Sequence, residues 1–66
     1  MRIELNGRPH ELADGTTLAG LIATLAGSGR GSAAVVDGDV VPRSTWPAYA
    51  LREGQVVELI TAVQGG

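Results

Sequence analysis

The sequence predicts an α+β domain, a sheet of about five short strands packed on one helix, and three observations carry that prediction. Helical spacing of apolar residues occurs between residues 16 and 27. Strand-like alternation flanks that segment on both sides, in "RIEL" before it and "VVELITAV" after it. Two dipeptides typical of tight hairpins, Asn6–Gly7 and Asp37–Gly38, separate strand-like runs. Runs of strands on both sides of a single helix indicate a sheet packed on that helix.

The first strand, "RIELNG", places Ile3 and Leu5 on one face and Arg2 and Glu4 on the other. Asn6–Gly7 turns the chain, and "RPHELA" returns as its partner. Pro9 has no amide donor, so this second strand belongs at an edge, or begins at Pro9. In "DGTTLAGLIATLAG", Leu18, Leu21, Ile22 and Leu25 follow the i, i+3, i+4, i+7 rule and form one apolar stripe. Thr16 or Thr17 can cap the helix start by accepting a backbone amide, and Gly27 suits its C-terminal end. Gly20 inside the helix costs about 1 kcal/mol relative to Ala. "AAVVDGDVVP" reads as a second hairpin, with positive φ angles at Asp37–Gly38 and Pro42 as its end. "RSTWPAYALREG" is irregular or holds a short helical turn, with Trp46, Tyr49 and Leu51 folded onto the core. Gly54 precedes the last strand, "QVVELITAV".

Composition narrows the function. With 66 residues, the chain is one domain near the lower limit for folding alone and buries only about 60% of its unfolded surface. It is 44% hydrophobic and 18% charged, which is globular and not disordered. It has no Cys, which excludes a disulfide framework, a thiolate metal site and a cysteine nucleophile. A small domain without disulfides fits a reducing compartment, and a cytoplasmic location is expected. "MRIELNGRPHEL" alternates and carries charge, unlike a signal peptide or a membrane span, so no membrane partner is expected. The net charge is −2 and the basic residues Arg2, Arg8, Arg30, Arg43 and Arg52 are scattered, so no nucleic-acid partner is expected either. The absence of Lys leaves no side-chain amine for ubiquitin-type conjugation onto the chain.

No catalytic constellation emerges. "GSGRGS" at residues 27–32 follows a helix, whereas a phosphate-binding loop follows a strand and opens a helix. His10 has no Cys or Ser–Asp pair placed beside it, and the carboxylates lack acid/base or metal-loop spacing. No metal site and no catalytic residue are expected. The last strand is more informative. Val57, Leu59, Thr61 and Val63 share one face, and Val56, Glu58, Ile60 and Ala62 share the other. A domain too small for three layers leaves the second face open, and exposed apolar strips mark interfaces. Val56, Ile60 and Ala62, with Arg43 nearby, are therefore the expected docking surface for a partner. The chain then ends "AVQGG". With ten glycines in 66 residues, a terminal pair arises by chance in about one chain in 40. The pair gains meaning only from a fold that delivers the last carboxylate somewhere useful.

"VVPRSTW" followed by "LREGQVVELITAVQGG" resembles the ThiS family, the sulfur carrier proteins of thiamin biosynthesis. The resemblance spans nearly the whole chain: length, element order, the Pro-Arg-x-x-Trp block at 42–46, the Gly54 turn and the diglycine. Two positions depart from the family's pattern. Asp37 stands where members often carry Asn, and Gln64 stands where a small residue commonly precedes the diglycine.

The resemblance implies a ubiquitin-like β-grasp fold, with a mixed sheet around one helix over residues 1–62 and a flexible tail over residues 63–66. Four extended residues reach about 13–14 Å, and Gly65 and Gly66 lack a Cβ, so the tail can thread a narrow channel. Gly66 is then the modified residue, with Gly65 and Gln64 as the tail that carries it. A free carboxylate is a poor electrophile, so a ThiF-like adenylating enzyme would use ATP to make an acyl-adenylate. Persulfide sulfur from a cysteine desulfurase would displace AMP, and the resulting thiocarboxylate would serve a ThiG-like thiazole synthase. On this reading the chain is a protein cosubstrate and not an enzyme, and it binds no cofactor itself. Two other readings stand beside it. A MoaD-like carrier, or one for another sulfur pathway, uses the same tail chemistry; MoaD-like chains are usually longer and often carry a Pro-Pro pair before the final residues, absent here. A β-grasp interaction module with an incidental diglycine would work without Gly66.

Overall fold

The computed structural model describes residues 1–27 and 31–61. Strands β1 (Arg2–Leu5) and β2 (Arg8–Glu11) form a hairpin, followed by helix α1 (Leu18–Ala26). Strands β3 (Ser32–Val36) and β4 (Asp39–Val41) form a second hairpin, a 3-10 helix spans Arg43–Ala48, and β5 (Val56–Thr61) follows. The sheet order is β2-β1-β5-β3-β4, which puts the last strand in the middle. β5 runs parallel to β1 and antiparallel to β3, so the sheet is mixed. The boundary expected between residues 62 and 63 lies outside the described residues.

Both hairpins turn as their dipeptides predict. Asn6 and Gly7 have φ of 49° and 82°, and Asp37 and Gly38 have 50° and 87°. Positive φ at both central residues matches the right-handed twist of the flanking strands, and Asn, Asp and Gly tolerate it best. β2 lies at the sheet edge, where Pro9 interrupts no ladder. Asp37 also has a role away from its turn. Its Oδ1 accepts the Val56 amide at 2.9 Å, its own amide donates to the Val56 carbonyl at 2.8 Å, and Oδ2 accepts from Gln55 Nε2 at 3.2 Å. Gln55 is buried, and its Oε1 accepts the Arg52 amide at 2.8 Å. The second hairpin therefore clamps the start of β5.

Of the two candidate caps, Thr17 caps α1, accepting the Gly20 amide at 3.1 Å. The Thr16 hydroxyl instead donates to the Ala13 carbonyl at 2.6 Å. Thr17→Ala is expected to cost about 1 kcal/mol. In a domain of this size that lowers Tm by about 4–8 °C, measurable by thermal melting followed by circular dichroism.

Leu18, Leu21 and Ile22 from α1 pack on Ile3, Val36 and Val57 from the sheet. Trp46 and Leu51 close the core from the segment between β4 and β5. Trp46 is 4% exposed, and its indole N–H donates to the Val41 carbonyl at 2.9 Å. Leu25 departs from the predicted stripe, being 50% exposed. β1 has already turned away at Leu5, so the last turn of α1 overhangs a groove that Leu5, His10, Leu25 and Leu59 line.

Candidate functional site

The sheet face away from α1 is open. Alternation along β5 turns Val57 inward and Val56, Glu58 and Ile60 outward. The register extends that outer face sideways: Ala33 lies beside Ile60, Val35 beside Glu58, and Val40 beside Val35. Val40 is 72% exposed, Ile60 59% and Val56 38%. The result is an apolar strip over three neighbouring strands, with Glu58 within it and Glu4 beside Val56. Arg2 pairs with Glu11 through Nε and Oε1 at 2.9 Å, an exposed contact worth about 0–1 kcal/mol at most.

The residues singled out in the sequence fall unevenly on this surface. Val56 and Ile60 lie on it, at opposite ends of β5. Arg43 opens the 3-10 helix just past β4. Val41 is level with Ala34, and Ala34 with Leu59, so Arg43 stands at the Ile60 end of the strip. Ala62, Gln64, Gly65 and Gly66 lie outside the described residues. Val40 was not among the candidates. The two-residue turn at Asp37–Gly38 was its signal, because that turn sets Val40 opposite Val35 and points it away from the buried Val41.

The described residues contain no group of three or more His, Asp and Glu placed to hold a metal ion. His10 is half-buried opposite Ile3 on the groove side of β2, away from the apolar strip. No helix among the described residues is long and apolar enough to cross a membrane.

A five-stranded mixed sheet of order 2-1-5-3-4, with one helix across it and its last strand central, is a ubiquitin-like β-grasp fold. The fold matches a crystal structure of a thiamine biosynthesis protein (ThiS) from Geobacter metallireducens with a TM-score of 0.84, over the full length of both chains and at 23% identity. The ThiS family model matches residues 3–66, and the chain belongs to the ThiS family. A thiazole synthase from Magnetococcus marinus is 38% identical over 66 residues, which are all of this chain and 20% of that protein. The chain thus spans about a fifth of the length of the curated relative it matches.

Proposed function

We propose that this chain is the sulfur carrier of thiamin biosynthesis, and that its working atoms are the terminal carboxylate of Gly66. The observation that carries the reading is the apolar strip on β5, the strand that leads directly toward the diglycine. A partner seated on Val56 and Ile60 holds the domain by the strand that leads to the tail, and Val40 on β4 widens the contact. Arg43, at the Ile60 end of the sheet, extends that surface. Family membership and the likeness to a thiazole synthase support the pathway.

The chemistry follows from the weakness of a carboxylate as an electrophile. Its charge repels nucleophiles, and oxide is a poor leaving group. In a ThiF-like enzyme, a Gly66 oxygen attacks the α-phosphorus of ATP, pyrophosphate leaves, and an acyl-adenylate forms. A persulfide sulfur, supplied through a cysteine desulfurase, attacks the acyl carbon and AMP departs, leaving an acyl disulfide. A thiol then attacks the partner's sulfur, which becomes a disulfide while the electron pair of the broken S–S bond stays on the Gly66 thiocarboxylate. That sulfur is nucleophilic and goes to a ThiG-like thiazole synthase. The carrier supplies position and a carbonyl carbon, and its partners supply the catalytic groups, so its place is the reducing cytoplasm beside them.

ATP–pyrophosphate exchange by a ThiF-like enzyme tests this reading, with stimulation expected on adding the chain and none if the reading is wrong. Ile60→Glu puts a charge into the strip at a 59% exposed position, so folding stability is expected to stay within about 0.5 kcal/mol. Binding to the activating enzyme is expected to weaken about thirtyfold, the size of a buried hot-spot contact, as titration calorimetry would read directly. Unchanged affinity would remove the strip from the interface.

A further inference from the structure

We propose that Asn6 is a positioning residue for the tail. Its side-chain oxygen completes the β1–β5 ladder after β1 has turned away, and so sets the direction in which the chain leaves β5. The functional consequence rests on the carrier reading above; the structural one does not.

β5 is held unequally on its two sides. Toward β3 the pairing continues to Ser32 opposite Thr61, the last residue of the strand. Toward β1 it stops at Leu5 opposite Val57, because the chain enters its turn at Asn6 and Gly7. The Asn6 amide still donates to the Val57 carbonyl at 2.9 Å. If the parallel ladder continued, the next bond would run from the Leu59 amide to the backbone carbonyl of Asn6, one residue past the end of β1. The turn has carried that carbonyl away, and Asn6 Oδ1 accepts the Leu59 amide in its place at 2.9 Å. This bond lies two residues before the end of β5.

The position makes two separable demands. Backbone φ is 49°, which Asn, Asp and Gly accept readily. The bond to Leu59 needs an acceptor one carbon beyond Cβ, which Asn and Asp have and Gly lacks. Leu59 is joined by that bond to the hairpin on one side and by strand pairing to β3 on the other. Without it, residues 59–61 are held by β3 alone, and past Leu59, beyond the end of β4, the pair is a two-stranded ribbon, which twists more than strands inside a sheet. Five residues follow Thr61. Drawn out in a partner's channel they span about 17 Å, so a rotation of about 10° at Thr61 moves the last residue by about 3 Å.

The test compares Asn6→Gly, which keeps the turn and loses the acceptor, with Asn6→Asp, which keeps both. Two readouts are taken on the full chain. The first is hydrogen exchange at the Leu59 amide, referenced to the Leu21 amide that bonds Thr17 within the helix. The second is thiocarboxylate formation at saturating carrier, alongside affinity for the activating enzyme. For Asn6→Gly we expect faster exchange at Leu59 but not at Leu21, unchanged affinity, and about fivefold slower sulfur uptake, the weight of one ordinary hydrogen bond. Asn6→Asp is expected to match the parent chain in both. Equal exchange at Leu59 in the Gly variant overturns the proposal, and so does sulfur uptake at the parent rate. A parent chain that takes up no sulfur refutes the carrier reading instead, and Leu59 exchange alone then decides whether Asn6 fixes the end of β5.

Discussion

A chain ending at Gly65 is expected to fold as the full chain does and to accept no sulfur. Among the described residues every buried core residue lies between Ile3 and Val57, well before the end of the chain. Removing Gly66 withdraws the carboxylate by about 3.3–3.6 Å, the length of one extended residue. Acyl transfer needs its reacting atoms within about 3–3.5 Å, and a misplacement of 1 Å can cost about a hundredfold. Withdrawal by a whole residue should therefore abolish adenylation outright. On the carrier reading, Gly66→Ala keeps the length but adds a Cβ at the reacting residue, and a loss of at least about a hundredfold is expected. Melting curves within a degree or two of the parent, together with absent sulfur uptake, are the expected pair of results. Sulfur uptake by the shortened chain would show that Gly66 is not the working residue.

Trp46→Ala is expected to have the largest effect on folding. The indole is 4% exposed and packs in the core with Val41 and Leu51, and its N–H donates to the Val41 carbonyl. Truncating a buried aromatic costs about 3–5 kcal/mol. A domain of 66 residues has about 3–10 kcal/mol in total, so the variant sits at the edge of unfolding. Urea denaturation should place its midpoint near zero urea. Trp46→Phe fills much of the space but loses the indole donor to the Val41 carbonyl, for about 1 kcal/mol. The order parent, Phe, Ala in falling stability is the expected result. An Ala variant as stable as the parent would mean that the 3-10 segment does not help to close the core.

Local chemistry made most elements legible in the sequence. Asn6–Gly7 and Asp37–Gly38 specify their turns through φ angles that few other residues accept, and alternation along Val56–Thr61 specifies which face is covered. The unread features were those that depend on distant parts of the chain. The parallel pairing of β1 with β5 joins Glu4 to Val56, and no local period encodes it; only the family resemblance implied a mixed sheet. Leu25 has the right helical spacing, but its exposure is decided by where β1 ends. Asn6 and Asp37 read as turn residues, yet each also reaches across to β5, which lies 53 residues away for Asn6 and 19 for Asp37. At the candidate site, patterning pointed to Val56 and Ile60 but passed over Val40, whose exposure follows from hairpin register. The chemistry proposed at Gly66 came only through the resemblance, because a glycine has no side chain whose type could announce a role.

The most direct test of sulfur carriage is the intact mass of the chain after incubation with ATP, a ThiF-like enzyme, a cysteine desulfurase and cysteine. The expected result is a gain equal to the exchange of one oxygen for one sulfur, mapped by fragmentation to Gly66. A folded chain whose mass is unchanged under those conditions would contradict the assignment to thiamin biosynthesis.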